Sequence, residues 1–184
     1  MRRRNLVAPA AALALVASLG WPSPVVAGDA EILQELVAEQ QVEQANLANF
    51  DDLDFRVFSG QKWAEFHKSH AGNIKVHWPD GRTTEGLEVH IEDLEAMFLY
   101  APDTRIHEHP IRIAQGEWTA VVGYMEGTFS QPMPIGDGKT IAPTGKSFRI
   151  RMATIGHWTK QGVMDEEYLF WDNQTFMKQI GLAP

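Results

Sequence analysis

The spacing of apolar positions along this chain switches from helical to alternating at about residue 104, after three helical stretches and one short strand. From residue 30 to about 49, Ile32, Leu33, Leu36, Val37, Leu47 and Phe50 recur at helix-like intervals between Glu and Gln. The first half of that stretch is thinly apolar, which suits a helix end that frays or packs on a neighbouring subunit. Ser59 is the expected N-cap of a second helix that carries Trp63, Phe66 and His67 on one side. Residues 74–78 alternate as a strand and run into Trp78-Pro79-Asp80-Gly81, a turn whose glycine supplies the positive φ it needs. Residues 87–99 read as a helix burying Leu87, Ile91, Leu94, Met97 and Phe98, stopped by Pro102-Asp103.

Four strand-like runs follow, at 105–114, 118–130, 147–159 and 163–171. Gln115-Gly116-Glu117 and Lys160-Gln161-Gly162 are tight connections, so the strands they join are predicted to be antiparallel. Residues 131–146, rich in Pro and Gly, read as a loop at one end of the sheet. The last run is followed by Thr175-Phe176-Met177-Lys178-Gln179-Ile180-Gly181, a short amphipathic helix closed by glycine. Helices first and a curved meander afterwards predict an α+β fold.

Composition changes this picture at the N-terminus. Arg2-Arg3-Arg4 precedes an alanine-rich apolar run at 6–19, and Val25-Val26-Ala27 offers small residues before a cut. That is the layout of a secretory signal peptide over residues 1–27, too short and wrongly flanked for a spanning helix. The mature chain is expected to begin near Gly28, with residues 28–46 as a helical extension and 47–184 as the domain proper. No cysteine is present, so neither a lipid-anchoring cysteine nor a disulfide is available. Loss of three arginines and no acid takes the formal charge from −8 to −11. So acidic a chain is a poor partner for nucleic acid or an anionic membrane, both of which need clustered Lys and Arg.

The run Glu166-Glu167-Tyr168-Leu169-Phe170-Trp171-Asp172-Asn173, the terminal helix, Gly127-Thr128-Phe129 and Pro143-Thr144-Gly145-Lys146 occur in an informative order. Together with the Trp78 turn, they make residues 47–182 resemble the SnoaL-like polyketide cyclase (ester cyclase) family of the nuclear-transport-factor-2-like superfamily. The resemblance implies a cone-shaped sheet wrapped around one pocket, about three N-terminal helices and a short C-terminal one. It also implies cofactor-independent aldol chemistry, with an aspartate on the last strand and a histidine on the strand before. Counting back from Gln179-Ile180-Gly181 puts Leu169 at the aspartate's position, and counting on through Gly162 puts Ile155 at the histidine's. Neither side chain can move a proton.

A relocated pair is therefore sought among neighbours on the same strand faces. Alternation places Asp165, Glu167, Leu169 and Trp171 on one face of the last strand, and Arg151, Ala153, Ile155 and His157 on one face of its neighbour. Glu167 and His157 become the leading acid–base candidates, because an apolar cavity displaces such groups toward neutrality. Asp172 is a third candidate, although its place just before the terminal helix also suits an N-cap. His107 and His109, sharing a predicted strand face, and His77 have spacing that would suit a metal. Alternation along a strand yields such pairs by chance, so no metal and no cofactor are assigned. These three histidines, with Trp63, Trp78, Leu169 and Trp171, are the predicted ligand-lining residues. The expected ligand is a small apolar or aromatic carbonyl compound. A homodimer or larger closed assembly is expected from the outward aromatics Tyr168 and Phe170. The alternative is a non-catalytic binding or oligomerisation module on the same fold.

Overall fold

The computed structural model describes residues 27–184, so the predicted signal peptide lies outside the described residues apart from Ala27. Helix α1, Ala27–Asp52, is exposed along its first half and enters the core only at Asn46, Leu47 and Phe50. It widens into one π-helical turn, Leu53–Phe58, followed by a 3₁₀ segment, Trp63–Lys68. Ser59, expected as an N-cap, instead closes the π turn. Its hydroxyl bonds Asp54 O at 2.6 Å and accepts the Ile106 N–H at 2.8 Å. A serine hydroxyl can serve either end of a helix, so composition alone did not choose.

Strand β1 (His70–His77) begins four residues earlier than the alternation suggested, and a short β2 (Thr83–Glu85) pairs back on it across the Trp78 turn. Helix α2, Leu87–Tyr100, follows. The predicted strand 105–114 is in fact two, β3 (Arg105–Ile106) and β4 (Ile111–Gln115), both pairing with β5 (Trp118–Thr128). Pro110 cannot donate to the ladder, and the chain between the two leaves the sheet. A Cβ on Gly123, in β5, would sit 3.1 Å from the His109 ring; its absence gives that ring room to turn inward. The Pro/Gly loop carries a minimal hairpin, β6 (Met133–Pro134) with β7 (Thr140–Ile141). Strands β8 (Ser147–Trp158) and β9 (Met164–Trp171) and helix α3 (Asn173–Gln179) complete the chain.

The main sheet runs β2-β1-β9-β8-β5-β3, with β4 beside β3 on β5. Neighbours are antiparallel except β1 and β9, which are parallel. The sheet curls around a core to which β8 contributes Phe148, Ile150, Met152 and Trp158. The intervening residues of β8, Arg149 to His157, face outward, Ile155 and His157 among them. In β9 a bulge beside Asp165 turns both Asp165 and Glu166 out, and the inward set becomes Met164, Glu167, Leu169 and Trp171. That bulge corrects one sequence expectation: Asp165 does not share the face of Glu167. Ile155, at the histidine's position by the resemblance, faces outward, and the residue opposite Leu169 is Thr154. Strict alternation fails where a strand carries an extra residue.

Asp172 occupies the N-cap of α3, accepting from Gln174 N at 2.9 Å, Thr175 N at 3.1 Å and the Thr175 hydroxyl at 2.7 Å. The Thr175 bonds hold its carboxyl below the usual carboxylate range. A depressed pKa favours the fold above the unfolded value and withdraws that support as pH falls through the folded one. Asp172→Ala is therefore expected to lower the urea midpoint at pH 7, by an amount that shrinks as acid protonates the native carboxyl. A midpoint unchanged at pH 7 would contradict the capping role.

Candidate active site

Three elements aim titratable groups at one point inside the cone. Glu167 projects from β9 between Val76 of β1 and Gly156 of β8, and is only 4% exposed. His90 lies on the apolar stripe of α2, one turn before Leu94, and His70 opens β1. Their Nε2 atoms stand 3.4 Å and 3.9 Å from Glu167 Oε2, respectively. Aromatic faces fix both imidazoles. Phe66 stacks on His70 at 5.3 Å, Trp78 lies 5.7 Å from His90, and the two rings are 5.1 Å apart. Among the described residues, one group of histidines and acids has ligand atoms that converge as on a metal ion, and it is this one.

The electrostatics follow from dryness. Burial pushes the Glu167 carboxyl up to about 8, with the nearby Asp54 charge adding to the shift. Burial pushes His70 down to about 4 and His90 well below the usual histidine range, so both rings are neutral at physiological pH. Glu167 Oε2, His70 Nε2 and His90 Nδ1 are buried without a hydrogen-bond partner. Such groups cost free energy unless a proton, ion or ligand joins them.

The cavity they face holds about 40 Å³, room for only a few water molecules. Leu169, Thr154 and Met152 line it from the sheet, and Asp54 from the π turn. Trp78, Met97, Met125 and Trp171 separate it from a vestibule of about 170 Å³ reached past Tyr100 and Phe176. At the vestibule rim Arg82 bridges Asp80 and Asp93 at 2.8 Å and 3.0 Å and lies over the Trp78 ring. A ligand larger than a few waters must displace this aromatic partition.

Asp54 is backed by His109, whose two ring nitrogens each lie 2.8 Å from a carboxylate, Nε2 from Asp54 and Nδ1 from Asp51. Arg112 closes the row at 2.9 Å from Asp51. Burial alone would lower the His109 pKa, but the two carboxylates outweigh it and raise it. Burial pushes Asp54 up, against the pull of His109. With both nitrogens facing oxygens, the ring donates twice and carries the positive charge.

The structure brings only some of the residues singled out from sequence to the cavity. Glu167, Leu169, Trp171 and Trp78 line the cavity, and His109 stands directly behind it. His157 sits outside the cone, its Nδ1 2.6 Å from Asp165 and its Nε2 3.6 Å from Glu117, and therefore does not meet Glu167 in one site. His77 is also outside, stacked on Tyr168 at 4.2 Å and 2.8 Å from Glu166. His107 is exposed beside Glu126, so the two histidines do not share a strand face. Trp63 packs against Phe66 and Phe98 rather than on the cavity wall. Asp172 caps its helix. The residues that sequence reasoning missed are His70, His90 and Asp54. A signal for two of them existed: His90 falls between Leu87 and Leu94 on an apolar stripe, and Asp54 falls four residues after Phe50 on another.

Comparison with known proteins gives a consistent picture. A family model for SnoaL-like polyketide cyclase matches residues 35–180. A structure assigned as a SnoaL-like polyketide cyclase from Jannaschia sp. CCS1 superposes with a TM-score of 0.66 at 18% identity, over 78% of this chain and 96% of its own. IdmH from Streptomyces antibioticus, assigned as a polyketide cyclase, gives 0.63 at 19% identity, over 74% of this chain and 98% of its own. A protein assigned as a ketosteroid isomerase from Kribbella flavida DSM 17836 gives 0.51 at 15%, over 71% of this chain and 80% of its own. Among curated proteins, none matches the chain. At these identities the likeness to solved structures shows the fold alone.

Proposed function

The chain belongs to the SnoaL-like polyketide cyclase family, and from that premise we propose that it binds a small, largely apolar carbonyl compound in the cone and moves a proton on it, as a cyclase or isomerase does. One observation carries this reading: a single apolar cavity into which two carboxyl groups of opposite character project. Asp54 has a buried cationic partner in His109, and Glu167 has none. The first is the carboxylate and the second keeps its proton, the separation of states that acid–base catalysis requires. In this reading Glu167 donates to the substrate carbonyl oxygen, Asp54 removes the proton α to it, and Leu169 meets the ligand by apolar contact. The small volume favours a second reading, a binding module that widens for a ligand without turning it over.

The test is exchange of α-protons. Metal-stripped protein incubated with a panel of small cyclic and aryl ketones in D₂O is expected to accelerate deuterium uptake, followed by NMR. Tight binding of panel members without accelerated uptake would support the module instead.

Two further parts of the reading concern surroundings. The basic, apolar and small-residue segments of residues 1–27 support export, which N-terminal sequencing of secreted protein tests by a start near Gly28. The exposed outer face of the sheet supports a homodimer. Ile155 pairs with Tyr168 and Ala153 with Phe170, while Trp118 stands on the adjoining strand beside His157. These form an apolar patch of the kind that self-association covers. Light scattering is expected to give twice the chain mass for the native protein and the single-chain mass for Phe170→Glu. A native monomer at micromolar concentration would contradict it.

A further inference from the structure

We infer that His70, His90 and Glu167 form a binding site for one divalent first-row transition-metal ion. This goes beyond the proton-transfer reading and does not rest on it, since the ion would bind whether or not the cavity turns over a substrate. The first support is geometric. One ligand atom from each residue lies within 4.8 Å of the others. Two donors each about 2.1 Å from one ion stand roughly 3.0–3.5 Å apart in octahedral or tetrahedral coordination. The 3.4 Å between His90 Nε2 and Glu167 Oε2 already meets this spacing, and the 3.9 Å to His70 Nε2 needs only a small closing movement.

The second support is the state of the donor atoms. The Ser69 hydroxyl bonds Phe66 O at 3.1 Å and His70 Nδ1 at 2.9 Å. It has one hydrogen, which goes to the carbonyl, so Nδ1 carries the ring proton and donates to Oγ. The Nε2 lone pair is left pointing at Glu167 with no partner. A fixed tautomer held by a neighbouring hydrogen bond is the arrangement that orients histidines on metals. Glu167 Oε2 is likewise orphaned and buried, and an ion would partner both atoms at once.

The donor set narrows the ion. Two imidazoles and one carboxylate suit zinc or ferrous iron, and are poor ligands for calcium or magnesium, which take oxygen almost exclusively. Three protein donors leave coordination positions toward the cavity, where Leu169, Met152 and Thr154 stand. The ion replaces the proton on Glu167, and that proton leaves to solvent. A carbonyl oxygen placed there meets the ion where it would otherwise meet the carboxylic acid.

The experiment uses the whole mature chain, freed of metal by chelator, with Zn²⁺ followed by calorimetry and Co²⁺ by its visible d–d spectrum. Expected are one ion per chain, a raised melting temperature, and cobalt bands of a site with nitrogen and oxygen donors and fewer than six ligands. Glu167→Gln, nearly isosteric and checked for folding by circular dichroism, and His90→Ala are expected to lose the site. Ser69→Ala, which frees the His70 ring and removes the hydroxyl's bond to Phe66 O, is expected to weaken binding by about 10–100-fold. Native protein that takes up neither ion at micromolar concentration overturns the inference. So does uptake that is equal in native, Glu167→Gln and His90→Ala chains, which would place the ion elsewhere. Ketone exchange in stripped protein reads the proton-transfer proposal separately, so either can fail alone.

Discussion

Glu167→Gln is expected to do two opposite things: abolish ketone α-exchange and make the protein more stable in alkaline solution. The first follows because the amide keeps the shape of the side chain but has no acidic proton to give, a loss of about 10²–10⁴ in rate. The second follows from linkage. Folding raises the Glu167 pKa from 4.5 to about 8, so its contribution is fully present below about 4.5 and is lost as pH rises through 8. Above that, an unpaired carboxylate is held in an apolar cavity. The glutamine variant has no such charge and should be the more stable protein at pH 9, by on the order of 5 kcal/mol for a shift of that size. At pH 5 the two should melt alike. The acid side remains in both, because His70, lowered on folding from 6.5 to about 4, contributes above 6.5 and loses that contribution as pH falls through 4. Melting temperatures of stripped native and variant protein across pH 4–9 check this; a variant less stable than native at pH 9 would mean that Glu167 has a cationic partner in solution.

His109→Leu is expected to be the most damaging single change to stability. It leaves Asp54 buried without its partner, either charged or forced to take up a proton, a situation that costs about 3–5 kcal/mol. The double variant Asp54→Leu with His109→Leu removes the buried pair as a whole, so it should recover much of the lost stability while remaining unable to exchange ketone protons. Asp51 keeps Arg112 in both variants. Urea denaturation and the exchange assay together separate the roles. A double variant that regains both stability and exchange would reduce Asp54 to a structural group.

How much of this was legible in the sequence depended on whether one local rule applied. Period-two alternation located β5, β8 and β9 to within a few residues, because each has one face in the core. It also turned Leu169 toward the cavity. It failed at Asp165, where a bulge inserts one residue that no side-chain pattern announces. It failed again at His109. A proline and a glycine distant in sequence, Pro110 and Gly123, together let the chain leave the sheet and the ring turn in. The site itself was half visible. Glu167 could be found by parity, but its partners come from α2 and from the first residue of β1, and only tertiary packing brings them within 4 Å. His157 was attractive because it is two residues from Ile155 on the strand beside β9. That neighbourhood lies on the outer surface, where Asp165 and Glu117 hold the ring as an ion pair.

The central claim is that the cone, and not the outer face, is where a carbonyl compound is received by Glu167. A crystal structure of the stripped protein with a substituted phenol, whose oxygen mimics an enolate, tests it most directly. The account predicts the phenol oxygen within about 3 Å of a Glu167 carboxyl oxygen, with its ring against Leu169 and the Trp78–Trp171 partition displaced. A phenol bound only beside His157 and Asp165, with the cavity closed and unchanged, would contradict it.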